Sequence, residues 1–95
     1  MFPPILLNSF TKEGKLVFIE FESRNKPSGI ETTKSEFWLT ELVDESEDAY
    51  AVIMIPTDRL RKMVENNNYP VKPGGDDYTS KGYLIPVGDL LNHKK

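Results

Sequence analysis

The chain has no cysteine, one histidine and one tryptophan in 95 residues. Each shortage removes a class of explanation. Without thiols there are no disulfides and no thiolate metal sites. The single histidine, His93, stands in the polar tail 92–95, which argues against histidine-ligated metals and Ser-His chemistry. Any metal would have to be a hard cation held by oxygens. No apolar run approaches the ~20 residues that span a bilayer. The opening Met1-Phe2-Pro3-Pro4 has neither the positive flank nor the cleavage signal of a secretory leader. No membrane partner is expected, and the expected location is cytoplasmic. Excess positive charge is also missing: a net charge of −3 argues against broad attraction to polyanions and leaves room only for a local basic strip.

What is present reads as one globular domain, 1–95. Apolar residues make up 38% and charged residues 28% of the chain, a globular rather than disordered balance. A chain of this length buries only about 60–65% of its unfolded surface, so one modest core is expected. Pro4 to Phe10 is a candidate strand, followed by a turn at Thr11 to Gly14. Lys15 to Ser23 is the clearest strand, rich in β-branched and aromatic residues, with both faces apolar at its start and one turning acidic at its end. Arg24 to Ile30 is a loop by its Asn, Pro and Gly content.

Thr33-Lys34-Ser35-Glu36 has the form of a capping box, which predicts a helix through Phe37, Trp38, Leu39, Leu42 and Val43. Ala49 to Ile55 is a second buried strand ended by Pro56, and Thr57 is expected to cap a helix carrying Leu60, Met63 and Val64 at helical spacing. Residues 66–80 form a long surface loop, and Gly82 to Val87 a last strand, placed at an edge by Pro86. Strand, capped helix, strand makes a βαβ unit. The expected class is therefore α+β: a mixed sheet in which Lys15–Ser23 and Ala49–Ile55 run parallel, flanked by at least two helices.

Two constellations carry chemistry. Glu20 and Glu22 are two apart on a strand, so regular alternation puts both carboxylates on one face, at a spacing suited to divalent cations. The plainer alternative is an amphipathic strand whose tail faces water. Arg24, Lys26, Lys34, Ser28, Thr32 and Thr33 then gather three cations and three hydroxyls around one helix start, a natural place for a phosphate. Ordinary capping with solvated lysines is the alternative there. Tyr69, Tyr78 and Tyr83 lie in or beside the long loop, where one could stack on a base. Asp76-Asp77 after Gly74-Gly75 reads as a turn rather than a calcium loop.

The run from Val17 to Ile30, with Thr32-Thr33-Lys34 and Phe37-Trp38 after it, resembles a segment of small phage-type nucleases of the PD-(D/E)xK superfamily. Ile53 to Leu60 and Gly82 to Pro86 also look like that group, and the likeness spans Gly14 to Val87. The resemblance implies a restriction-endonuclease-like fold, Mg²⁺- or Mn²⁺-dependent phosphodiester hydrolysis and DNA as substrate. In that group an earlier acid and an acid-x-lysine pair assemble the metal site. Here Glu13 is the sole acid before the matching segment, and no Glu-x-Lys occurs in the strand. Two readings stay open. In one, Glu20 and Glu22 hold the metal and Lys34 supplies the catalytic cation, with Arg24, Lys26 and Thr33 on the phosphate. In the other, the catalytic part is missing and the domain is a non-catalytic nucleic-acid- or protein-binding and assembly module. A sheet short of strands would also expose apolar Leu16 to Phe21, so a homodimer through that region is expected.

Overall fold

The computed structural model describes the backbone of residues 5–12, and residues 16–44, 46, 48–92 and 94–95 with side chains except that of residue 76. Ser23 pairs with Lys26 across a two-residue turn, Arg24-Asn25, in which both residues are left-handed (φ 50° and 65°). Such a turn matches the twist of the strands it joins. The hairpin comprises β2 (Leu16–Ser23) and the short β3 (Lys26–Pro27). β2 also pairs antiparallel with β7 (Ser80–Pro86), and β7 with β6 (Val71–Gly74), so one sheet runs β3-β2-β7-β6. The second sheet runs β1-β4-β5, with β1 (Ile5–Lys12) parallel and β5 (Ala49–Pro56) antiparallel to β4 (Phe37–Val43). The class is α+β, with mixed strand directions and, among the described residues, two α-helices, α1 (Thr57–Asn66) and α2 (Val87–Leu90).

Several expectations are corrected. Phe37–Val43 is a strand, not a helix: Trp38, Thr40 and Leu42 are buried in alternation, and a neighbour on each side pairs with it. Period-2 burial with both ladder edges occupied outweighs the helix-start signal. Thr33 makes no cap; its Oγ1 accepts the Ser35 N–H two residues on, at 3.2 Å, which is a local turn. The acidic stretch after β4 is a hairpin turn, where Asp44 Oδ1 accepts the N–H groups of Ser46 and Asp48 at 2.9 and 3.0 Å. With no crossover helix, the βαβ unit is absent, and β2 and β5 lie in different sheets. The first strand pairs with β4 rather than forming a hairpin ladder with β2, and it runs through residues 11 and 12 of the expected turn; residues 13 and 14 of that turn, residue 15 of the expected second strand, and His93 lie outside the described residues. β7 is internal, not an edge, with Pro86 at its end, and the expected loop 66–80 contains β6. β5, expected to be buried, is instead an edge strand: Ala49 to Val52 and Met54 are exposed and only Ile55 is buried, because β4 covers one of its two ladder edges.

The core forms where the inner faces of the strands meet the helices. Val17, Ile19 and Ile85 come from the four-stranded sheet, Trp38, Leu42 and Ile55 from the three-stranded one, Leu60 and Met63 from α1, and Val87 and Leu90 from α2. The β2 face expected to mediate a homodimer is thus used internally: Val17 and Ile19 are fully buried and Leu16 alone is left half-exposed. Helix α1 starts directly after Pro56 without a side-chain cap, so Thr57 is its first residue and not its cap. Its two arginines serve as carbonyl clamps. Arg61 donates from Nε to Ile30 O (3.0 Å) and from Nη2 to Thr33 O (2.6 Å), while Arg59 donates to Leu90 O (3.2 Å) and Asn92 O (2.6 Å). Each guanidinium thereby ties a separate loop to the helix.

Tyr69 also fastens α2. Its hydroxyl donates to Asp89 Oδ2 at 2.9 Å, and burial, reinforced by that bond, pushes the phenol up to about 12. The free phenol ionises near pH 10. A folded value above the unfolded one means stabilisation present below pH ~10 and lost as the pH rises toward ~12. Tyr69→Phe is therefore expected to narrow the drop in melting temperature between about pH 8 and pH 11. An unchanged alkaline loss in the variant would assign the effect to other groups, of which Tyr83, also raised by burial, is the first.

Candidate nucleic-acid interface

The expected metal pair is separated by an irregularity in β2. Glu20 stands opposite Gly82 and Glu22 opposite Lys81, so two residues on β7 face three on β2, with Phe21 the extra one. Paired residues share a face and neighbours on a strand point to opposite faces. Glu20 and Glu22 therefore do not share a face. Glu20 lies on the side of Phe18, and its Oε2 accepts the Ser28 hydroxyl at 2.9 Å. Glu22 pairs with Lys81 at 3.4 Å on the other side. Among the described residues no group of three or more acids or histidines is placed to hold a metal.

The residues expected to hold phosphate divide into two groups. Ser28 and Thr32 belong to a tight turn folded over the end of β2. The Ser28 N–H donates to Phe21 O at 3.0 Å, and Glu31, Thr32 and Thr33 donate back to Ser28 O and Gly29 O. Gly29 is left-handed there (φ +52°), and its Cα passes so close to β2 that a Cβ would sit 2.2 Å from Glu20 O. Ser28 and Gly29 thus bind the turn to the strand. Thr33 and Lys34 lie farther on, lining a cleft of about 440 Å³ with Phe37, Pro56, Thr57 and Arg61, and neither Glu20 nor Glu22 belongs to it. Arg61 is committed to its carbonyls, whereas Lys34 is exposed and unpaired among the described residues. Thr57 Oγ1 in that wall is buried and has no hydrogen-bond partner among the described residues.

Arg24 and Lys26 form the other group, at the tip of the β2–β3 hairpin, both exposed and without ion pairs among the described residues. The hairpin tip abuts the loop before β7: the Arg24 N–H donates to Thr79 O at 2.9 Å. In that loop Asp77 and Tyr78 are both left-handed (φ 54° and 55°), and Tyr78 is 76% exposed. Two left-handed pairs thus lie side by side, one presenting a guanidinium and the other a free ring. A left-handed non-glycine residue costs on the order of 1–2 kcal/mol and marks a side chain whose placement matters. The three tyrosines near the loop separate here. Tyr69 is bonded to Asp89, Tyr83 stacks on Phe21 with ring centroids 4.5 Å apart, and Tyr78 alone is open. Asn25 and the Gly-Gly-Asp-Asp run were the sequence signals for these turns, but not for their contact.

No helix among the described residues is long and apolar enough to cross a membrane. Neither protein-family models, nor curated proteins, nor solved structures gave a match to this chain.

Proposed function

We propose that the domain is a binding module that grips a nucleic-acid backbone with Arg24 and Lys26 and stacks a base on Tyr78. The carrying observation is the open ring of Tyr78, a residue with left-handed backbone on a loop hydrogen-bonded to the Arg24 backbone. Cations on phosphate supply affinity without reading sequence, and a free aromatic ring accepts any base. The likeness of the Val17–Ile30 segment to phage-type nucleases supports DNA as the ligand and a reduced restriction-endonuclease-like fold, and the cysteine-free composition agrees with a cytoplasmic setting. Hydrolysis by a metal on Glu20 and Glu22 has less support, because a shared ion needs both carboxylates on one face and each already has a partner.

Single-stranded oligonucleotide binding, followed by fluorescence anisotropy at low salt, tests this reading. Arg24→Ala with Lys26→Ala should weaken binding at least about tenfold and lower the salt slope by roughly 1.4, the share of two phosphate contacts on a single strand. Tyr78→Ala should weaken it by about five- to a hundredfold at all salt concentrations. Binding that is absent at low salt, or indifferent to all three residues, rejects the proposal. Mg²⁺-dependent plasmid nicking abolished by Glu20→Ala would instead restore the hydrolytic reading.

A further inference from the structure

We infer that β5 is a self-association strand, through which two copies pair antiparallel about a two-fold axis at Ile53. The inference is independent of nucleic-acid binding and rests on how differently the sheet edges are protected. β3 is two residues long and carries Pro27; β6 is four long and carries Lys72 and Pro73. Short length, lysine and proline are the usual means of blocking edge pairing. β1, at the far end of the three-stranded sheet, lies against β2. β5 has none of these protections from Ala49 to Ile55, a stretch without charge, proline or glycine. Tyr50, Val52 and Met54 are 58%, 53% and 55% exposed along it. Val52 and Met54 stand opposite Glu41 and Leu39 of β4, on the face away from Trp38, Ile55 and α1.

The occupant that fits is a second copy. β5 pairs regularly with β4 from Ala51 to Pro56, with Tyr50 the extra residue before that stretch. An antiparallel pair centred on Ile53 matches Ala51–Ile55 with itself. It sets Val52 of each copy opposite Met54 of the other, closing the apolar strip on one face. The ends differ in charge. Four of the five residues from Asp44 to Asp48 are acidic, with Asp44 and Asp48 exposed, whereas Lys34 and Arg61 lie beside the Pro56 end. Glu36 and Asp58 are at that end too, Asp58 paired with Arg61 at 3.6 Å. An antiparallel partner brings the acidic turn of one copy to this charge-balanced end of the other; a parallel one would bring acid to acid. Five ladder residues and three side chains cover less than the ~800 Å² per partner of a standard interface, so the dimer is a weak one.

Sedimentation velocity from about 5 to 500 µM should show reversible monomer–dimer exchange with a Kd of tens of micromolar. Val52→Lys, a change at an exposed site, should weaken it at least about tenfold while leaving circular dichroism unchanged. Because the chain has no cysteine, register can be read directly. A Val52→Cys chain mixed with a Met54→Cys chain should oxidise to the mixed disulfide several-fold faster than either chain to its own. Residues directly opposite satisfy disulfide geometry, whereas same-numbered residues are diagonal. A monomer across the whole range, a dimer indifferent to Val52→Lys, or a statistical mixture of disulfides overturns the inference.

Discussion

Trp38→Ala is expected to cost about 3–5 kcal/mol, a large part of the ~5–15 kcal/mol that holds a domain of this size together. Trp38 is fully buried on β4 and belongs to the same cluster as Ile55, Leu60 and Met63. The deleted ring leaves a cavity between a strand paired on both sides and a helix clamped at two points, so the site has little freedom to collapse. Urea melts of the two chains give the comparison; a loss under about 1 kcal/mol would be incompatible with a central β4. The neighbouring Thr40 provides a control of opposite sign. Its hydroxyl is buried without a partner among the described residues, so Thr40→Val, which keeps the shape and removes the unsatisfied group, should be neutral or stabilising.

Gly29→Ala should be the second most damaging change, at about 2–5 kcal/mol, combining a left-handed backbone with forced contact. The added carbon would meet the Glu20 backbone, O at 2.2 Å and C at 2.8 Å, with no flexible side-chain end to yield. β2 or the turn must move, and the Ser28–Glu20 hydrogen bond moves with it. Gly88→Ala sets the scale, since nothing lies within 4 Å of its Cβ position in α2, and there alanine should be neutral or slightly favourable. Equal effects at the two glycines would disprove the close approach. If the loss at Gly29 came from the turn alone, Glu20→Ala would reproduce it; the backbone contact implies that it will not.

How much of this was legible depends on where the information resides. β2, β5 and α1 were placed almost to the residue, because Leu16–Ser23, the uncharged Ala49–Ile55 and the Leu60-Met63-Val64 spacing are local patterns. The burial of β5 was not: its apolar run suggested a covered strand, and it is an exposed edge. β4 was not. Apolar residues at 37, 38, 39, 42 and 43 satisfy a helical stripe as well as a strand buried on both faces, and Thr33 to Glu36 has the form of a cap. That one substitution of helix for strand carried the topology with it, since a parallel βαβ pair had to become two separate sheets. The paired carboxylates failed for a different reason. Regular alternation is the only rule a lone strand offers, and the extra residue at Phe21 exists only in the register with β7. Arg24 and Lys26 were expected with Lys34 around a helix start and stand instead on a hairpin, beside Tyr78, which comes from more than fifty residues away and left no mark near them.

That separation has a kinetic consequence. Apart from the two-residue β3, β2 finds its ladder partner in β7, with most of the chain lying between them, and β1 must reach across β2 and β3 to pair parallel with β4. The β4–β5 hairpin, closed by the Asp44 turn, is the one strand pair in its sheet that can form from adjacent residues. A chain emerging from the ribosome therefore exposes a lone hairpin with an uncharged outer strand well before β7 arrives to complete the other sheet. Loops that long delay the cooperative step, and the interval is when such a strand is most open to mispairing. The acidic turn at one end of β5 then acts as a gatekeeper, keeping like ends of neighbouring nascent chains apart until the domain closes.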